Sequence, residues 1–304
     1  MKRRYVTADV FSDIPFEGNP VAVVLDAEGL STQQMQLIAA EFAYSETTFV
    51  LPPRDSSHTA WVRIFTPTRE IPFAGHPNIG TAFVLATQAV AGGKPLPDTL
   101  VFDEAGGLVP VRQMKDGNAV VGGELIAPES LSRRSAVQAD QVAACLSLDA
   151  GDIMTDVHQP RVVSVGLPFL VVELASREAL RRCTPNPVAY KATLPLDGAV
   201  SIYAYTRDVA LHDAASDCDL QARMFTPRMT EDPATGSATA ATVALLATLR
   251  AAPQLTLRVR QGVDMGRPSL LLAQFEVAGD GATVRVGGKC VIVMTGTFTL
   301  AGQA

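Results

Sequence analysis

The chain has 304 residues, of which 47% are hydrophobic and 18% are charged, and this length accommodates two domains with separate hydrophobic cores. Its formal net charge of -6 argues against electrostatic binding to nucleic acid, which requires a basic surface. The longest apolar runs, near 170–175 and 244–249, are too short to span a bilayer, and the scattered cysteines lack a C-x-x-C pair, so we expect a soluble, cytoplasmic protein without a membrane partner.

The first 65 residues alternate short strand-like runs with one helical segment. The runs VTADVF, VAVVL, TTFVL and WVRIFT are rich in β-branched residues and predict strands. Between the second and third runs, STQQMQLIAAEF predicts a helix, because Ser31 is a suitable N-cap with Gln34 three residues later. Glu46 lies between the end of this helix and the start of the next strand.

The two halves of the chain contain an internal duplication. Residues 63–67 (RIFTP) recur as residues 223–227 (RMFTP). After a one-residue gap, three further identical pairs follow: Glu70 with Glu231, Pro72 with Pro233, and Gly75 with Gly236. A weaker match joins residues 18–20 to residues 166–168. Repeats of this length indicate two copies of one domain rather than a solenoid, whose units are shorter.

A second helix follows the aligned glycine in each copy, NIGTAFVLATQAV in the first and SATAATVALLATLR in the second. The latter is apolar almost all round, which is typical of a helix buried inside a curled sheet. The predicted class is therefore α+β in two similar halves. We predict an N-terminal domain of residues 1–125 plus about 290–304 and a C-terminal domain of residues 126–289. We expect them to be related by a pseudo-twofold axis, with the site in the cleft between them.

The two glycine-led helix starts are candidate binding sites. A helix N-terminus presents N–H groups and a partial positive charge to an anion, and glycine allows close approach to the backbone. The starts at Gly75 and Gly236 could therefore hold one carboxylate-bearing small molecule between them. Alternatively, both glycines serve only turns, and Ser237 caps its helix.

His76 and Asp232 are candidates for supporting chemistry. The imidazole of His76 can donate, accept or relay a proton near neutral pH, and its repeat counterpart is Ser237. Asp232 aligns with Ile71, so its charge belongs to one copy only. It either forms an Asx-type cap or orients a catalytic partner or a substrate amine.

Glu46 is the candidate proton carrier. Apolar surroundings disfavour the charged carboxylate and raise its pKa toward the range useful for acid–base catalysis. The second copy has no acidic residue just before its strand near 200–203. A single base favours removal and return of a proton on one face, which is an isomerisation, whereas two opposed bases would indicate a racemase.

Other chemistries lack their motifs. No H-x-x-x-H, C-x-x-C or clustered carboxylates occur in the sequence, so we expect no metal site. It also contains neither a G-x-G-x-x-G after a strand nor a P-loop, so we expect no nucleotide cofactor. A hydrolase based on Ser237 is disfavoured because no G-x-S-x-G elbow surrounds this serine.

Four stretches, in this order, resemble the PhzF-like proteins of the phenazine-biosynthesis isomerase family: FEGNPVAVVL, YSETTFVL, RIFTPTREIPFAGHPNIGTA and RMFTPRMTEDPATGSATAA. The similarity covers nearly the whole chain. It implies the diaminopimelate epimerase-like fold, in which two similar domains each wrap a curled sheet around a central helix. The epimerases of this fold carry a cysteine at each helix start, where this chain has Gly75-His76 and Gly236-Ser237, so a two-thiol racemase is set aside.

The resemblance also implies roles for particular residues. Glu46 would act as the general acid/base with His76 and Asp232 assisting. The predicted substrate-binding residues are Gly75 and Ser237, together with two neighbours in sequence. These neighbours are Ser45, which precedes Glu46, and Gly236, which precedes Ser237.

The implied enzyme is a cofactor-free homodimer that acts on a small carboxylate. It would be similar to an isomerase of trans-2,3-dihydro-3-hydroxyanthranilate, which moves a hydrogen from C3 to C1 of the ring. The alternative hypothesis is a non-catalytic member of the same fold that binds a small molecule.

Overall fold

The computed structural model describes residues 2–209, 218–279 and 281–300. These residues form two compact units. One unit comprises the residues up to Leu125 and those from Gly287 onward, and the other comprises Ile126–Val286. Both units contain strands and helices, which confirms the predicted α+β class. No helix in the described ranges has both the length and the apolar character needed to cross a bilayer.

The first unit contains the strands of the N-terminal part of the chain together with two helices. In chain order they are β1 (Lys2–Val10), β2 (Asn19–Val24), α1 (Thr32–Phe42), β3 (Glu46–Leu51), β4 (Ala60–Phe65), β5 (Glu70–Ile71), α2 (Gly75–Ala91), β6 (Thr99–Glu104), β7 (Gly107–Asp116) and β8 (Ala119–Ile126).

The second unit contains the remaining elements, except that the last strand continues into the first unit. In chain order they are β9 (Ser132–Ala136), α3 (Ala139–Leu146), β10 (Ile153–Met154), β11 (Arg161–Ser164), β12 (Pro168–Leu174), α4 (Arg177–Arg182), α5 (Pro187–Thr193), β13 (Ile202–Thr206), β14 (Leu220–Phe225), β15 (Glu231–Asp232), α6 (Gly236–Leu249), β16 (Gln254–Gln261), β17 (Ser269–Ala278) and β18 (Gly281–Thr299).

The first helix begins as the sequence predicts. The Ser31 hydroxyl accepts a hydrogen bond from the Gln34 backbone N–H at 3.2 Å, and the Gln34 side chain accepts one from the Ser31 backbone N–H at 2.9 Å. This reciprocal capping box satisfies two backbone donors that a helix start otherwise leaves exposed. The helix ends at Ala43, whose left-handed conformation (φ 55°) turns the chain toward β3. Glu46 therefore occupies the first position of that strand.

The same strand register recurs in both units. Strand β3 runs parallel to β2, with Val21 opposite Glu46, and antiparallel to β4. In the second unit, β13 runs parallel to β12 and antiparallel to β14. The Leu170 N–H donates to the Ser201 carbonyl at 3.0 Å just before β13 begins. By this register, Ser201 stands where Glu46 stands in the first unit, so the second unit offers no acid at that position.

Each unit wraps strands around a helix that follows a repeated glycine. Helix α2 packs against β1, β2, β3 and β7, and α6 packs against β11, β12, β16 and β17. The contact of α2 with β2 is close, because a Cβ atom on Gly80 would lie 2.5 Å from Val21 Cγ1. Every residue of α6 from Ala238 to Ala247 is buried, which confirms the prediction of a helix enclosed on all sides. These helices place Gly75 and Gly236 at their first positions.

The duplicated residues form the same ion pair in each unit. The Arg63 guanidinium donates to both carboxylate oxygens of Glu70 at 2.7 Å, and Arg223 does the same to Glu231 at 3.1 and 2.8 Å. Such bidentate pairs combine charge with a fixed planar geometry. In both units the pair ties a strand to the short strand that leads into the central helix.

Candidate active site

The first unit brings Glu46 and His76 together. Glu46 is the first residue of β3, and His76 is the second residue of α2. The distance between Glu46 Oε2 and His76 Nδ1 is 3.5 Å, at the long end of hydrogen-bond contact. The Glu46 side chain is 18% exposed, whereas that of His76 is 7% exposed. The carboxyl group is thus partly open to solvent, whereas the imidazole lies inside the protein.

The environment of His76 keeps its ring neutral. Burial lowers the pKa of the imidazole to about 4, and its hydrogen bond to the Pro20 carbonyl opposes this shift only in part. His76 Nε2 lies 3.4 Å from that carbonyl oxygen. A carbonyl oxygen can only accept, so the proton of the neutral ring is assigned to Nε2.

This tautomer has a consequence for Glu46. With the proton on Nε2, the lone pair of His76 Nδ1 faces the Glu46 carboxyl group. A hydrogen bond between these two atoms then requires a proton on Glu46, because an ionised carboxylate would place two acceptors against each other. The site is thus arranged to stabilise Glu46 after it has taken up a proton.

The start of α2 leaves room beside the backbone. A methyl group on Gly75 would lie 3.9 Å from Leu125 Cδ2, an ordinary van der Waals distance, so the packing of the described residues does not itself require a glycine. No side chain in the described parts of the chain caps this helix at its N-cap residue, Ala74. A helix start without a side-chain cap at its N-cap residue is a position at which N–H groups can bind an anion. Ser45 is half-buried next to Glu46.

The second unit holds Asp232 in a hydrogen-bonded turn. The Thr235 hydroxyl donates to Asp232 Oδ2, and Thr235 is the N-cap residue of α6. The fully buried Gln261 donates from Nε2 to the Asp232 carbonyl at 2.8 Å and to Thr235 Oγ1 at 3.0 Å. Its Oε1 accepts from the Thr235 backbone N–H at 3.1 Å. Gln261 therefore clamps the turn between β15 and α6.

Ser237 does not cap its helix. The N-cap of α6 is Thr235, and Ser237 lies inside the first turn, half-buried, after the buried Gly236. The alternative interpretation of Ser237 as a helix cap is therefore wrong, because the N-cap residue lies two residues before it. Asp232, Gly236 and Ser237 lie in the second unit and the other predicted site residues in the first. Their convergence on one substrate stays a prediction.

Sequence reasoning missed a second buried carboxyl group. Glu104, the last residue of β6, is 6% exposed. Burial raises its pKa to about 8, and the neighbouring Asn78 side chain opposes part of this rise. The available signal was a carboxylate at the end of a strand-like run, whereas Glu46 drew attention as a carboxylate at the start of one. Gln261 carried no comparable signal, because its partners lie 26 and 29 residues away.

No group of three or more His, Cys, Asp or Glu side chains among the described residues is arranged to hold a metal ion.

Comparison with known proteins identifies the family. Residues 8–296 match the family model of phenazine biosynthesis-like proteins, PhzC-PhzF. The chain belongs to this family. It is 38% identical to an uncharacterized isomerase of Mesorhizobium japonicum over 97% of this chain and 98% of the relative. It is also 34% identical to the trans-2,3-dihydro-3-hydroxyanthranilate isomerase of Pseudomonas aeruginosa over 94% of this chain and 95% of that enzyme.

Solved structures agree with the predicted fold. A PhzF-family protein of Bacillus anthracis superposes with a TM-score of 0.87 at 21% identity, covering 99% of this chain and 100% of the other. A hydroxyproline epimerase from Agrobacterium vitis has a TM-score of 0.61 at 13% identity, covering 98% and 91%. These similarities confirm the epimerase-like fold, and the named relatives confirm the predicted class of enzyme, an isomerase.

Proposed function

We propose that the protein is a cofactor-independent isomerase that moves a proton within a small carboxylate-bearing substrate, with Glu46 as the general acid/base. By similarity to the named relatives, the first substrate to consider is trans-2,3-dihydro-3-hydroxyanthranilate. The observation that carries the proposal is the contact between the partly exposed Glu46 carboxyl group and the buried, neutral imidazole of His76.

In this proposal the proton passes through one carboxyl group. Glu46 removes a proton from an activated substrate carbon, and the protonated carboxyl group then donates a hydrogen bond to His76 Nδ1. Because this contact holds the proton beside the substrate, Glu46 returns it to another carbon on the same face. Ser201 occupies the matching position in the second unit, so one base serves both steps, as an isomerisation requires and a two-base racemisation does not.

The remaining predicted residues would bind the substrate. The N–H groups at the starts of α2 and α6 suit its carboxylate, which is a favourable partner for a helix N-terminus. Asp232, held by Thr235, offers an acceptor for a substrate amine. Ser45 and Ser237 are half-buried beside these groups and supply hydroxyl donors.

The test uses trans-2,3-dihydro-3-hydroxyanthranilate in heavy water. Wild type should convert the compound, and Glu46→Gln should lower kcat by at least about 100-fold, because a general acid/base contributes roughly that much or more. Glu41→Gln, an exposed position on α1, is the matched control and should leave kcat unchanged. Deuterium in the product supports exchange at Glu46, whereas internal return of the same proton is compatible with the proposal.

Two results would contradict the proposal. Full activity of Glu46→Gln without solvent deuterium in the product would exclude Glu46 as the proton carrier. Binding that is insensitive to Glu46→Gln, with no turnover by wild type, would instead identify a non-catalytic small-molecule-binding protein.

A further inference from the structure

Glu104, the last residue of β6, and Asn78, in the first turn of α2, form a buried polar pair. Within the described residues, neither carboxylate oxygen of Glu104 has a partner in good hydrogen-bond geometry, and neither does Asn78 Oδ1. The Asn78 side chain nevertheless lies close enough to Glu104 to lower the pKa of its carboxyl group in part. Asn78 is fully buried and is the fourth residue of α2. Its Nδ2 donates to the Ala74 carbonyl at 3.0 Å. Three buried acceptors without partners are costly in a protein interior and call for a chemical explanation.

A single proton accounts for all three atoms. The Ala74 carbonyl can only accept, so it fixes the Asn78 amide with Nδ2 toward Ala74. If the Glu104 carboxyl group is protonated, its O–H can donate to Asn78 Oδ1. The other Glu104 oxygen can then accept the second hydrogen of Asn78 Nδ2. This two-point pairing of a carboxylic acid with an amide gives each of the three atoms a partner, which an ionised carboxylate cannot do.

We propose that Glu104 is a positioning residue, held as a neutral acid that pairs with Asn78 and thereby fixes the turn that carries His76. Asn78 ties down the carbonyl of Ala74, and Ala74 lies two residues before His76. The pair thus holds the backbone from Ala74 to Asn78 and sets the distance between His76 Nδ1 and Glu46. This effect on catalysis rests on the proposed function, whereas the protonation state of Glu104 does not.

The electrostatic surroundings agree with a neutral acid. Burial is the main cause that raises the pKa of Glu104 to about 8, and Asn78 is the only other contributor among the described residues. The ionisable groups on the surrounding elements are His76 on α2, Arg63 on β4, Glu70 on β5, Arg112, Lys115 and Asp116 on β7, and Asp103 on β6. Asp103 contacts His58 Nδ1 at 2.9 Å. The carboxyl group therefore keeps its proton at neutral pH and loses it as the pH rises through about 8.

The protonation state can be measured without a substrate. Protein labelled with ¹³C-glutamate and ¹⁵N-histidine is titrated by NMR from acid to alkaline pH. The Glu104 carboxyl signal is identified by its loss in Glu104→Gln. We expect this signal to move near pH 8, together with the His76 ring nitrogen signals. In Glu104→Gln the ring signals should lack that transition, because glutamine reproduces the two-point pairing and does not ionise. The proposal would be overturned if the Glu104 signal titrates in the acid range, or if the His76 signals do not change as Glu104 titrates.

Kinetics with trans-2,3-dihydro-3-hydroxyanthranilate then test positioning. Wild type should lose kcat as the pH rises through about 8, and Glu104→Gln should keep its kcat there. At pH 7, Glu104→Ala should lower kcat by about tenfold or more with little change in KM, because a misplaced catalytic group slows chemistry more than binding. Asp98→Asn removes an exposed carboxylate just before β6 and should match wild type.

The two proposals fail in different ways. Wild-type kcat in Glu104→Ala, or an alkaline loss that persists in Glu104→Gln, would overturn the positioning role even in an active enzyme. If Glu104→Ala does not fold, the comparison of Glu104→Gln with wild type still decides the question. Absence of any turnover contradicts the proposed function, and the NMR titration then decides the state of Glu104 independently.

Discussion

At the scale of single residues, burial determines the protonation state of His76. The imidazole has one acceptor, the Pro20 carbonyl, at Nε2 and faces Glu46 at Nδ1. Because desolvation outweighs the hydrogen bond, the pKa falls to about 4. The ring is therefore a neutral support for Glu46 and not a cation that would hold Glu46 ionised.

This pKa predicts how the stability of the protein depends on pH. The unfolded chain binds a proton at His76 below about pH 6.5, whereas the folded chain binds it only below about 4. The free energy of unfolding should therefore fall as the pH drops through this window, by about 2 kcal/mol between pH 6.5 and pH 5 from this residue. Urea unfolding at pH 7 and pH 5 should show a smaller difference for His76→Gln than for wild type. Equal differences in both proteins would contradict the prediction.

At the scale of secondary-structure elements, side-chain amides hold the starts of the two central helices, one through long-range contacts and one through a local contact. Helix α6 begins after a turn that Gln261, at the end of β16, clamps through both its amide atoms. Helix α2 begins after a turn that its own Asn78 holds at the Ala74 carbonyl. In neither helix does the side chain of the N-cap residue, Ala74 or Thr235, cap the first turn.

The clamp at α6 can be tested by removing its amide. Gln261→Leu keeps the side-chain bulk but leaves the Asp232 carbonyl and the Thr235 N–H without this partner. We expect a loss of about 3 kcal/mol in the free energy of unfolding, because each buried group left without a partner costs about 1–3 kcal/mol. Gln254→Leu, at the exposed opposite end of the same strand, should change it little. Urea unfolding measures both, and equal losses would contradict the clamp.

At the scale of the whole molecule, the same order of elements occurs twice. The two copies differ in the residues at the positions where we expect catalysis. The ion pair between Arg63 and Glu70 recurs as Arg223 and Glu231. In contrast, Glu46 corresponds to Ser201 and His76 to Ser237. The shared residues maintain the fold of both units, whereas the unshared ones make the units chemically different. The predicted homodimer and the predicted meeting of the two residue sets at one substrate belong to this scale and stay predictions.

The duplication supplies its own matched control. Glu70 has a side-chain exposure of 34% and Glu231 one of 11%. Arg223 also lies 3.8 Å from a second carboxylate, Asp264, so its charge stays partly compensated without Glu231. Losing a partner still costs more at the less exposed pair. Glu231→Gln should therefore lower the free energy of unfolding by about 2 kcal/mol and Glu70→Gln by about 1 kcal/mol or less. Thermal or urea unfolding of the two variants checks the order, and a larger loss for Glu70→Gln would contradict it.

Local signals made much of the fold predictable. The capping box at Ser31 and Gln34, the helices after Gly75 and Gly236, and the enclosed character of α6 all follow from residues close together in sequence. The sequence around 232–237 allows the helix to begin at either of two places. Of the two interpretations of Ser237, the one that made it the helix cap was wrong. The hydrogen bonds of Thr235 with Gln261 decide between them.

The sequence alone determined the duplication and the resemblance to the family, because identity and spacing are properties of the chain itself. From these follow the predictions of two domains and of Glu46 and His76 as site residues. Only the tertiary structure decided which nitrogen of His76 faces Glu46, what holds the turn at Asp232, and that Glu104 lies buried beside Asn78. Each of these depends on partners separated by 26 to 56 residues. Burial and hydrogen-bond direction arise only when folding brings such partners together, so no local pattern contains them.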